Sequence, residues 1–189
     1  MAIAALEVKT RQALASGRNF GSVGRYTQLD GTAHFAIDPN HPLNRCITDI
    51  DLAPRDGDGL VHFSADIRIL TPEDPQRGNH RVLFDVPNRG NRLALATFNR
   101  VPRPINPSAP PDAGDGFLMR HGYTVVWCGW QHDVPTTEGL MRGDAAVVWE
   151  AGSGAKPSTS TTGCASSTRA PVWRGSPLRP RRCHQANQA

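Results

Sequence analysis

At 189 residues, with 38% of them hydrophobic and with 16 prolines and 18 glycines, the chain is long enough for one cored domain but rich in loops. Residues 1–150 hold 15 basic and 17 acidic side chains, net −2, whereas residues 151–189 hold six basic and none acidic, net +6. The basic pI near 9.2 therefore belongs to the tail. The body offers no electrostatic case for nucleic acid, and no run approaches the ~20 apolar residues of a membrane span.

In chain order, Ala5 to Ala13 alternates with Leu6 and Val8 opposite Glu7 and Lys9, which predicts an edge strand. A turn-rich stretch follows, and Thr32 to Ile37 reads as a short strand with Ala33, Phe35 and Ile37 on one face. The clearest local pattern is a hairpin in which Ile47 to Ala53 joins Leu60 to Leu70 through PRDGDG. There Val61, Phe63, Ala65, Ile67 and Ile69 share one face, and His62, Ser64, Asp66 and Arg68 share a solvated one. RVLFDV, Arg81 to Val86, is a short, nearly continuous apolar strand ended by Pro87. Asn88 to Asn91 makes a tight loop, and Arg92 to Phe98 has helical composition with Asn91 as its cap. Asn99 to Gly114 is too proline-rich for regular structure. Asp115 then caps a short helix, Gly122 stops it, and Tyr123 to Cys128 forms a buried strand. Strand, loop, helix, excursion, helix, strand is the pattern of a parallel α/β layer, here preceded by an antiparallel β section.

Cys46, Cys128, Cys164 and Cys183 have neither zinc-type spacing nor a disulfide framework, and the first two read as lone buried thiols. The N-terminus carries Glu7 and Lys9 within its short apolar run and lacks the order of a secretory signal, so a cytoplasmic protein is expected. No metal or other cofactor is indicated. His62 and Asp66 read as a solvated face, and the neighbours His132 and Asp133 should point apart rather than act as an acid–base pair.

The ordered set FGSVGRYTQLDGTAHFAIDP, ITDIDLAPRDGDGLVHFSADIRILTP, RGNHRVLFDVPNRGNRLAL and DGFLMRHGYTVVWCGWQHDVP resembles the N-terminal part of the α/β-hydrolase-domain proteins, a family of large esterases, from about Leu6 to Val147. VPNRGN and GYTVVWCGWQ are the unusual segments. The resemblance implies a serine nucleophile in a GxSxG elbow, then an acid and a histidine, acting on a small-molecule ester. It also makes Pro87 to Asn91 the oxyanion loop. In that loop Gly90 permits close approach of backbone amides to a substrate oxygen, with Asn88 and Asn91 flanking it. Arg89 would bind a substrate carboxylate or anchor the loop through a salt bridge. Trp127, Trp130 and Gln131 fall at or just past the end of a parallel strand, where ligands of open α/β sheets bind, although a tryptophan there commonly just fills volume.

No GxSxG occurs in the 189 residues. From about Trp149 the sequence loses its acids after Glu150 and has no Ile, Phe or Met, which reads either as a natural basic tail or, preferentially, as out-of-frame translation of a GC-rich gene. GSGAKPS echoes a phosphate loop without its spacing. The expected fold is α/β: an incomplete α/β-hydrolase-like sheet over residues 1–148, with an antiparallel β N-terminal section, and a disordered basic tail over 149–189. The expected function is that of the N-terminal fragment of a carboxylic-ester hydrolase, inactive alone and without nucleic-acid or membrane partners. A small β-rich ligand-binding module without catalysis is the alternative.

Overall fold

Period-two alternation of side chains dominates the molecule. In a computed structural model that describes residues 2–47, 49–102 and 112–144, six strands form one mixed sheet: β1 (Ala2–Ala13), β2 (Tyr26–Ile37), β3 (Val61–Pro72), β4 (Val82–Asp85), β5 (Thr124–Cys128) and β6 (Gly143–Asp144). Their order is β1-β2-β3-β5-β4, and β6 pairs with β3 beside the end of β5. β4 and β5 run parallel, and the pairs β1–β2, β2–β3, β3–β5 and β3–β6 are antiparallel.

This corrects the α/β expectation: the described residues are mostly β and do not form a helix-rich α/β-hydrolase sheet. Among the described residues the two α-helices are α1 (Ala94–Phe98), of five residues, and α2 (Phe117–Arg120), of four. Both helical patterns were real, but each lasts little more than a turn, too short to build a layer. The expected tail over 149–189 lies outside the described residues.

The predicted hairpin is also replaced. Ile47 to Ala53 is not a strand, since Ile50–Leu52 is a 3₁₀ turn, and the partner of β3 is β2, in continuous register from Tyr26↔Pro72 to Ile37↔Val61. Ile50 and Ala53 instead bury against Ile37 and Val61, closing one end of the sheet. β2 starts at Tyr26 rather than at Thr32, in register with β3 along its whole length, with the charge of Asp30 met across the sheet. Asp30 pairs with Arg68 and also accepts from the Gln28 amide.

Opposed residues share a face. On one face Leu14, Phe20, Val23 and Tyr26 pack with Leu70, Val125 and Trp127 beneath Ala94, Leu95, Leu118 and Met119. The Tyr26 hydroxyl donates to Met119 O at 3.2 Å or to Tyr123 O at 3.0 Å, and burial pushes its phenol pKa upward. As expected, Asp115 Oδ1 accepts from Phe117 N at 2.9 Å at the start of α2. The cap of α1 is different. Asp85 Oδ2 accepts from Leu93 N at 2.9 Å and from Ala94 N at 2.7 Å, while the Asn91 side chain turns back to Asn88 O.

Candidate functional site

The parallel pair β4–β5 sends two loops out of its carboxyl end, and these loops meet. Asn88 and Asn91 exchange both backbone hydrogen bonds at 3.0 Å, with Arg89 at φ 50° and Gly90 at φ 80° between them, which is a type I′ turn. Gly90 is required twice. Its φ is left-handed, and a Cβ there would lie 2.8 Å from Val134 Cγ1.

The second loop fastens onto this turn. Gln131 Oε1 accepts from Arg89 N at 2.8 Å, and Trp130 Nε1 donates to Pro87 O at 2.8 Å. Arg89 Nη1 lies 2.7 Å from Asp133 Oδ2, with both side chains half exposed. The Arg89 guanidinium holds the Asp133 carboxyl below its ordinary range. Met141 N donates to Gly90 O at 3.0 Å, so the segment leading to β6 forms the floor. That segment is fixed in turn: Arg142 N donates to Asp66 Oδ2 and Asp66 N to Arg142 O, each at 2.9 Å, and Arg142 Nη2 donates to His132 O at 3.1 Å. Beneath it, Arg92 Nη1 donates to Gly139 O at 2.8 Å, and burial next to Arg68 pulls the Arg92 guanidinium down to about 10, so it stays charged at neutral pH.

All six candidate residues, Asn88, Arg89, Gly90, Asn91, Trp130 and Gln131, thus belong to one cluster. Three of the turn's four amides are engaged, those of Asn88 and Asn91 with each other's carbonyls and that of Arg89 with Gln131, and no partner among the described residues takes Gly90 N–H. The indole of Trp130 is 60% exposed, whereas Trp127 is buried and donates through Nε1 to Asp85 Oδ2 at 2.5 Å. None of the six candidate residues carries a hydroxyl, thiol or other nucleophile. The arrangement offers hydrogen-bond donors and acceptors, one cation paired to a carboxylate, and an aromatic face.

The chain matches no family model, no curated protein and no solved structure. The cluster is therefore read from its own chemistry. Among the described residues no group of three or more His, Cys, Asp or Glu side chains could hold a metal ion, and no helix is long and apolar enough to cross a membrane.

Sequence reasoning missed Asp133 as the partner of Arg89 and Asp85 as the cap of α1. An acid inside the apolar strand RVLFDV was the signal for the second; the first gave none. His62 does not pair with Asp66; its Nε2 lies 2.6 Å from Asp56 Oδ2. Asp133 Oδ2 accepts from Arg89 Nη1, and the backbone carbonyl of His132 accepts from Arg142 Nη2. Cys46 was expected to be buried and is exposed, because it sits in the surface turn after Asn44. Cys128 is half-buried, and burial raises its thiol pKa, with Asp66 adding to the effect.

Proposed function

We propose that the chain is the N-terminal, catalytically incomplete part of a carboxylic-ester hydrolase, supplying a substrate-side loop pair to a parent protein whose serine nucleophile lies outside this sequence. The observation that carries the reading is the interlocking of the Asn88–Asn91 turn with Trp130 and Gln131 at the carboxyl ends of β4 and β5, the position where parallel strands present ligand loops. The motifs VPNRGN and GYTVVWCGWQ support it from the sequence. It does not rest on an α/β-hydrolase architecture, which the sheet lacks. The free thiols of Cys46 and Cys128 fit a reducing, cytoplasmic setting.

Two measurements test the reading. Incubated with p-nitrophenyl butyrate, the purified chain releases no nitrophenol above the buffer rate; release proportional to chain concentration sinks the proposal. Sequencing the gene past the codons for 145–189 and translating every frame should reveal a GxSxG serine followed by an acid and a histidine. If no frame contains one, the reading loses its mechanism.

A second reading, a β-rich ligand-binding module, is favoured by the exposed Trp130 ring on a mostly β scaffold. It predicts a saturable change in tryptophan fluorescence with small esters or sugars that disappears in Trp130→Phe. A flat titration counts against it.

A further inference from the structure

The sheet face that carries Leu70 and Trp127 beneath the helices turns polar further along β2 and β3. Residues opposite each other point the same way, so Glu7↔Thr32, Thr32↔Asp66, His34↔Ser64 and Ser64↔Asp144 line up on this face across β1, β2, β3 and β6. They bound a cleft of about 350 Å³, within the range of small-molecule sites, whose walls also include Lys9 and Arg142. A β-bulge shapes the β1 wall. Register shifts between Val8, opposite Gly31, and Thr10, opposite Asp30, so Lys9 and Thr10 both serve this face: Lys9 lines the cleft, and Thr10 Oγ1 donates to Asp30 Oδ2 at 3.4 Å. β1 comes so close here that a Cβ on Gly31 would lie 1.9 Å from Glu7 O. The charges of the cleft are only partly engaged. Glu7 Oε2 lies 3.5 Å from His34 Nε2, and Asp66 Oδ2 accepts from Arg142 N at 2.9 Å. Among the described residues nothing pairs with the side chains of Lys9 on the β1 wall or Asp144 on the β6 wall, or with the hydroxyls of Thr32 and Ser64 between them.

We propose that this cleft binds a short peptide by its two free termini, the carboxylate on Lys9 and the ammonium on Asp144. An unpaired cation on one wall and an unpaired carboxylate on the other call for a ligand that carries both charges. Their strands stand three spacings apart, about 14 Å between backbones, so the two charges of the ligand must be separated. A single α-amino acid, whose charges are adjacent, does not reach both walls. An extended tripeptide, at about 3.3 Å per residue, spans the gap that the two side chains leave. The floor suits a peptide backbone, because the hydroxyls of Thr32 and Ser64 donate to its carbonyls and accept from its amides. None of the six residues of the loop pair lines the cleft, so the assignment stands apart from the ester reading.

Titration of the full chain with triglycine, followed by backbone amide NMR shifts, tests this, with the N-acetyl, C-amide and doubly blocked forms of the same tripeptide as controls. Triglycine should give saturable shifts at Thr32, Ser64 and Asp66. Each single block should weaken binding at least tenfold, and the doubly blocked form should leave these amides unmoved. Lys9→Met should weaken triglycine at least tenfold yet leave the affinity for the C-amide form unchanged, and Asp144→Asn should weaken triglycine likewise yet leave the N-acetyl form unchanged. Both side chains are exposed, so neither substitution disturbs the core. Absence of saturable shifts with triglycine overturns the proposal. So does equal affinity for the doubly blocked form, or a loss in either variant that does not depend on the matching terminus.

Discussion

Asp85 Oδ2 accepts hydrogen bonds from Leu93 N, Ala94 N and Trp127 Nε1, and so joins β4, α1 and β5 through a single oxygen. Asp85→Ala uncaps α1 and leaves the indole N–H of a buried tryptophan without a partner, and it should cost about 2–4 kcal/mol. Urea unfolding measures this, and a loss below about 1 kcal/mol would contradict the assignment. Asp133 yields a prediction in pH. Its folded-state pKa is depressed by the hydrogen bond from Arg89, so the stability it contributes is present in full above the ordinary carboxylate range of about 3.9 and disappears as pH falls through the lowered value. Raising the pH from neutral changes nothing, because arginine stays charged. The stability difference between the unaltered chain and Asp133→Asn should therefore be constant at neutral pH and vanish in strong acid. A difference that grows on acidification would show that Asp133 is not paired as described.

Gly129 is the point where β5 passes beneath the segment entering β6. A Cβ at this position would collide with the Arg142 carbonyl, which is backbone and cannot rotate aside. Gly129→Ala should therefore cost about 1–3 kcal/mol and speed hydrogen exchange of Arg142 N, whose partner is Asp66. Unchanged exchange would mean that the two segments separate easily. The strands that were legible in the sequence, β1, β3, β4 and β5, are those whose apolar residues alternate or run unbroken between turn residues. The first half of β2 was not, since Gln28 and Asp30 look like loop residues until Arg68 is brought opposite them. The hairpin expectation failed for a related reason. PRDGDG has genuine turn chemistry, with Asp56 Oδ1 accepting from Asp58 N and Leu60 N, but a good turn does not require a strand on both sides of it. In the candidate site, the tight turn at Asn88–Asn91 could be read locally from its Asn and Gly residues. The Arg89–Asp133 pair could not, because only the parallel pairing of β4 and β5 brings those distant segments together.

At the scale of the molecule, the larger core lies under α1 and α2 and two smaller buried clusters lie on the opposite face, while the edges of the sheet are blunted locally. β1 carries register shifts between Ile3 and Ala5 and between Val8 and Thr10, and β4 has only four residues before Pro87. The α/β expectation was lost at this scale, because helix length and the share of antiparallel pairing emerge from the whole arrangement. At Arg89, one of six described non-glycine residues with positive φ, the side chain works against the turn that displays it. Arg89 occupies the first central position of a type I′ turn, where a bulky L-residue is strained by about 1 kcal/mol and where Asn before Gly is the relaxed choice. Its half-exposed pair with Asp133 contributes little, as ion pairs in contact with water do. Arg89→Asn, which removes an ion pair, should therefore leave the melting temperature unchanged or raise it; a fall of several degrees would show that the pair outweighs the backbone. An evolutionary or laboratory search for stability alone would thus discard this arginine, so the cation at the tip of the turn is held against the preference of its own backbone.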